Sequence, residues 1–152
     1  SAFQDVSREG GISWSETFVL DDYGTKEERA AARAMDNDTH WTELLHGDAM
    51  SPAIAFGGPS FLDAIGFRYY LPVLMLKAFD DEADNNGLMF HLTLGEGEFE
   101  AYSREHWSLL DRRQRLCVKR FVRYMVEQSK EQGYGMEEEW AEVLASYWER
   151  ME

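Results

Sequence analysis

The stretch Glu82-Ala83-Asp84-Asn85-Asn86-Gly87 places oxygen-bearing side chains first, third and fifth and a glycine sixth. A calcium-binding EF-hand loop begins in that order, and Met89 supplies its apolar eighth position. The closing ligands are missing. The first residue is Glu rather than Asp, and the twelfth, Thr93, offers no bidentate carboxylate. A solvated loop is therefore expected, with no metal. The histidines His40, His46, His91 and His106 never fall three or four apart, so no pair shares a helical face for metal binding. The one cysteine, Cys117, excludes both a thiolate-rich zinc site and an internal disulfide. Arg113 and Arg120 would favour its thiolate, but its helical position predicts an inert buried thiol.

Nucleophile and phosphate chemistry fare no better. No serine lies in a Gly-x-Ser-x-Gly elbow, and Ser60 after Pro59 reads as the cap of a single turn ending at Gly66. Gly95-Glu96-Gly97 is too short and too acidic to cradle phosphate. No two carboxylates are singled out by spacing as a general acid and base. No catalytic residue and no cofactor is assigned.

The elements that would position these groups are mostly helical. Ser13 with Glu16, Thr25 with Glu28, Ser60 with Asp63 and Asp111 with Gln114 have capping-box spacing. A short helix is expected from Thr39 to Gly47, carrying Trp41, Leu44 and Leu45. Leu71 to Phe79 is apolar on every side, which predicts a buried helix, with Pro72 either opening it or kinking it. Leu88, Phe90, Leu92 and Leu94 alternate with other residues in strand fashion, so a small β-hairpin is expected at about 88–102. After Asp111, the residues Cys117, Val118, Phe121, Val122 and Met125 line one face, with arginines and a lysine opposite. Gly133 and Gly135 should end that helix. A last one should run from Met136 to about Met151, with Trp140, Val143, Leu144 and Tyr147 on its core face.

The chain's 152 residues suit one mainly α domain over 12–152, with 1–11 as a flexible arm around Gly10-Gly11. Its longest uncharged apolar run, Tyr69 to Leu76, is too short to span a bilayer, and no signal peptide is visible. A reducing cytoplasm is the expected compartment. The formal charge of −14 opposes binding to nucleic acid and anionic membranes. Residues 111–130 run against that trend, with seven basic side chains and two acidic ones. A helix whose charges are matched within the chain is the simplest explanation.

The segment Phe67-Arg68-Tyr69-Tyr70-Leu71-Pro72 follows Trp41-Thr42-Glu43-Leu44 and precedes Leu110-x-x-x-Gln114, Phe121 and Tyr124. This pattern, over roughly Trp41 to Met125, resembles an uncharacterised bacterial family with an aromatic-Tyr-Leu-Pro segment. The resemblance implies a small, mostly helical, cytosolic bacterial domain. It carries over no catalytic residue.

Two functions are expected to compete. The first is a non-enzymatic domain whose acidic surface binds a basic protein, on the pattern of immunity and antitoxin proteins that neutralise a basic toxin. Its candidate contacts are Asp80, Asp81, Glu82 and Asp84 in the loop, and Glu137, Glu138 and Glu139 at a helix start. The second is an enzyme or small-ligand protein with an aromatic pocket near Tyr69, Tyr70, His91 and Trp107.

Overall fold

Two helices start at reciprocal capping boxes where the spacing predicts them, Thr25 with Glu28 and Asp111 with Gln114. In a computed structural model that describes residues 1–47, 50, 58–79, 85–133 and 135–152, α1 spans Trp14–Asp21 and α2 spans Lys26–Met35. Thr25 and Glu28 form a reciprocal box at the start of α2, and at the start of α1 the Ser13 N–H donates to Glu16 Oε1 at 3.2 Å. Then come a 3₁₀ turn at Trp41–Leu45, another at Gly58–Phe61, and α3 at Ala64–Lys77. Further on, α4 spans Asn85–Leu92, α5 Glu98–His106, α6 Arg112–Gln132 and α7 Glu137–Ser146. A 3₁₀ turn at Trp148–Arg150 follows α7. The chain is mainly helical, and no strand occurs among the described residues. It divides into two compact units, Phe3–Leu88 and Met89–Glu152 with Ser1–Ala2.

In the first unit, α3 is buried nearly all round: Phe67 and every residue from Tyr69 to Met75 lie inside. Pro72 stands within the continuous helix rather than at its start. Its ring nitrogen has no hydrogen to give to the turn before it. The cap is Asp63, not Ser60. Its Oδ1 accepts from Gly66 N at 2.9 Å and from Ile12 N at 3.0 Å. Gly66 does not end a turn, since it lies inside α3. A Cβ there would come within 2.5 Å of the Ile12 carbonyl oxygen, so only glycine permits this approach.

In the opening segment, residues 1–11, side chains from later in the chain reach the backbone. Phe3 is 2 % exposed, and the Trp41 indole donates to its carbonyl at 2.8 Å. Arg8 is tied to Asp36 and Asp38. A Gly-Gly pair and weak apolar patterning do not reveal that the Trp41 indole and the His40 ring, 38 and 36 residues away, bond to the backbone carbonyls of Phe3 and Gln4.

The turn after α1 breaks a local rule. Gly24 N donates to Val19 O at 2.8 Å and Tyr23 N to Leu20 O at 3.3 Å, which is the Schellman pattern. Its left-handed position normally takes glycine. Here it holds Tyr23, at φ +56°, with 97 % of the residue exposed. A bulky residue pays a steric cost in this conformation, and this one recovers none of it by packing. Tyr23→Gly is expected to stabilise the chain by roughly 1 kcal/mol and raise Tm by about 2–4 °C. An unchanged or lower Tm in a thermal melt would show that the ring contributes to the fold.

The expected hairpin at 88–102 is replaced by α4, whose residues from Met89 on fall in the second unit, and by α5. Leu88, Met89, His91 and Leu92 are all buried, and only Phe90 faces out. Short alternation cannot distinguish a strand from a helix covered on several sides. Distant tryptophans decide the matter. Trp107 Nε1 donates to His91 O at 3.0 Å and Trp148 Nε1 to Leu92 O at 2.7 Å, so two indoles satisfy carbonyls at the end of α4. Asp111 and Gln114 cap α6 reciprocally, and Gly133, at φ +69°, ends it. On its core face, Phe121 meets the α7 residue Trp140 edge-on at 5.7 Å. The last helix stops at Ser146, earlier than expected, because Tyr147 breaks the helical backbone before the Trp148 turn.

Candidate docking surface

Several of the polar groups singled out in the sequence are held by partners within the chain. In the first unit, Tyr69 and Tyr70 are fully buried, with rings at 89° and centroids 5.0 Å apart. The Tyr69 hydroxyl donates to Asp38 Oδ2 at 2.7 Å, and the Tyr70 hydroxyl accepts from Trp14 N at 2.8 Å. Burial pushes both phenols up, and the Asp38 carboxylate adds to the effect at Tyr69, so both stay protonated. Asp38 Oδ2 also takes the Arg8 Nε at 3.2 Å. Glu16 is 5 % exposed and lies between Arg33 at 2.7 Å and Arg29 at 3.2 Å. Burial alone would raise its carboxyl, but Arg33, the Ser13 N–H and Arg29 together hold it below the usual range. These groups are hydrogen-bonded and ion-paired to one another within the first unit.

His91 and Trp107 belong to the second unit, so the four residues of the aromatic-pocket reading divide between the two units. Trp107 is 1 % exposed, with its indole N–H on the His91 carbonyl. Burial, with His106 nearby, lowers His91 to about 4 and leaves it neutral at pH 7. Its ring centroid lies 6.3 Å from that of His106, whose own ring stacks on Tyr102 at 4.1 Å. His106 Nδ1 bonds to the Tyr102 carbonyl at 3.1 Å. His40 is tied to Gln4 and Thr42, and His46 is exposed. Among the described residues, no three of His, Cys, Asp and Glu gather so as to hold a metal ion.

Beside the imidazoles lies an exposed aromatic patch. Phe90 on α4 is 52 % exposed and Phe99 on α5 is 60 % exposed; the rings meet edge to face with centroids 6.1 Å apart. Tyr102 adds a third ring, 6.4 Å from Phe90. Glu96, Glu98 and Glu105 are exposed on or just before α5, and Glu100 pairs with Arg104 at 2.9 Å. An apolar centre with polar surroundings is the usual anatomy of a protein interface. Sequence reading placed these phenylalanines in a hairpin and so missed the patch. Its only sequence signal is an aromatic residue set between Glu98 and Glu100.

The acidic contacts read from sequence fare differently. Asp80, Asp81, Glu82 and Asp84 lie outside the described residues. Glu137, Glu138 and Glu139 form the first turn of α7, where the helix dipole favours them. Glu138 and Glu139 are exposed, and Glu137 pairs with Lys130 at 3.5 Å.

The basic run on α6 is matched in part within the chain. Arg115 donates to the carbonyls of Leu110 and Trp107 and to the Tyr147 hydroxyl. Lys119 reaches the carbonyls of Glu149 and Met151, and Arg112 that of Glu152. No helix among the described residues is long and apolar enough to cross a membrane.

The described residues define a mainly helical fold in which buried tyrosines, tryptophans and a few ion pairs tie distant parts of the chain together. The chain belongs to the family of unknown function DUF6714, whose model matches residues 1–152. No curated protein and no solved structure matches the chain.

Proposed function

We propose that this chain is a non-enzymatic, acidic protein-binding domain that docks a basic protein in the bacterial cytoplasm. The carrying observation is the edge-to-face pair Phe90–Phe99, more than half exposed and accompanied by the α5 glutamates. The aromatic rings supply apolar contact area. The net charge of −14 supplies long-range attraction for a cationic surface, with Glu137, Glu138 and Glu139 and the carboxylates of Asp80, Asp81, Glu82 and Asp84 contributing to the sum. In its narrower form the proposal is an immunity or antitoxin protein that covers the working site of a basic toxin; small size and acidity support that form.

The test begins with a partner captured from the native host, its binding then measured by surface plasmon resonance across ionic strength. The double variant Phe90→Ser, Phe99→Ser should weaken binding about 30-fold, equivalent to losing about 2 kcal/mol of hot-spot contact. Replacing Glu96 and Glu98 with Gln should slow association several-fold at low salt, and added salt should erase the difference. An acidic partner, or a basic one indifferent to both sets of changes, would overturn the proposal.

A further inference from the structure

A groove of about 340 Å³ runs beside α6, lined by Ser1, Ala2, Arg113, Leu116, Cys117 and Arg120. Its size falls within the range of small-molecule sites. Two cations seven residues apart flank an apolar floor. Arg113 and Arg120 are both exposed, and neither belongs to an ion pair among the described residues. Their place on the groove carries the argument, since Arg123 is also exposed and outside any ion pair among the described residues but does not line it. Arg112, Arg115 and Lys119 are spent on main-chain carbonyls, and Lys130 on Glu137. The chain carries 29 carboxylates against 15 basic side chains, yet the described ones leave these two guanidinium groups to solvent.

We propose that this groove binds a small organic anion, its phosphate or carboxylate held by Arg113 and Arg120 and its apolar part resting on Leu116 and Cys117. Guanidinium matches both head groups by paired N–H donors. The floor does not oppose them. Burial pushes the Cys117 thiol up despite the pull of Arg120, so it remains neutral near pH 7. Size discriminates among anions. A polyanion would meet the repulsion of a −14 chain along its length, whereas one compact head group lies within a Debye length of the two arginines. This site is separate in sequence and chemistry from the Phe90–Phe99 patch, and either assignment can fail alone.

The experiment titrates isotope-labelled protein with phenyl phosphate and with benzoate, using benzyl alcohol as the neutral control, and reads the arginine Nε–H signals by NMR. Saturable shifts at Arg113 and Arg120 are expected with an anion and not with benzyl alcohol. Whichever anion binds more tightly identifies the head group. The variant Arg113→Gln, Arg120→Gln should weaken binding at least tenfold, while Arg123→Gln, outside the groove lining, should change it less than twofold. All three side chains are exposed, so thermal melts should show unaltered folding. Equal shifts with benzyl alcohol, no saturation with either aryl anion, or undiminished binding in the double variant would overturn the assignment. Inorganic phosphate binding as tightly as phenyl phosphate would overturn the role of the apolar floor.

Discussion

Asp38→Ala is expected to destabilise the chain by about 3–5 kcal/mol, enough to remove a large part of a typical domain's stability. The reason is what the change strands. Asp38 and Arg8 have side chains only 7 % and 11 % exposed, and one carboxylate oxygen serves both the Arg8 guanidinium and the Tyr69 hydroxyl. Without it, Arg8 keeps only the carbonyls of Asp36 and Asp38 and the Tyr69 ring, 5.8 Å from its guanidinium carbon. A phenol with no exposed surface loses its acceptor as well. Tyr69→Phe removes one donor and leaves the ion pair, so it should cost only about 1 kcal/mol. Urea denaturation of the two variants measures the difference. Equal losses would show that the hydroxyl bond, not the buried charge, dominates this centre.

Trp148→Ala should be comparably damaging, at about 3–5 kcal/mol. Trp148 is fully buried, its ring 4.8 Å from Trp107 and 4.9 Å from Tyr147, and its indole N–H holds the Leu92 carbonyl. Truncation opens a cavity and also exposes an unsatisfied helix-end carbonyl. Trp148→Phe separates these effects: it restores much of the ring while withholding the donor, and should cost about 1–3 kcal/mol. The comparison is again made by urea denaturation. A Phe variant as unstable as the Ala variant would assign the whole effect to the hydrogen bond.

What was legible in the sequence was local. Thr25 with Glu28 and Asp111 with Gln114 are each read across three residues and close in the structure as reciprocal caps, and Ser13 with Glu16 makes one of its two bonds. Ser60 with Asp63 has cap spacing, but so does Asp63 with Gly66, which is the pair that caps α3; spacing does not show that the same oxygen also takes the Ile12 N–H, 51 residues away. The helix at Asn85–Leu92 was unreadable for the same reason: the indoles that end it stand at 107 and 148. Mainly helical architecture followed from amphipathic spacing on α6 and α7. The candidate surface did not, because exposure of Phe90 and Phe99 depends on which faces other helices cover. The left-handed backbone at Tyr23 was equally hidden, since tyrosine does not favour that conformation and glycine stands next to it.

The two indole caps on α4 also bear on the order in which the second unit assembles. A capping box closes three residues of chain, whereas the Trp148–Leu92 bond closes 56. By polymer scaling, the longer closure costs about 2.5 kcal/mol more in chain entropy. Helical turns on α6 and α7 can therefore form early from neighbouring residues, while the end of α4 stays unfastened until the far tryptophan arrives. During synthesis that fastening must wait for residue 148 to be added. Until then the nascent segment carries Phe90 and the inner residues Leu88, Met89 and Leu92 without their final cover, and this interval is when it is most open to mistaken association.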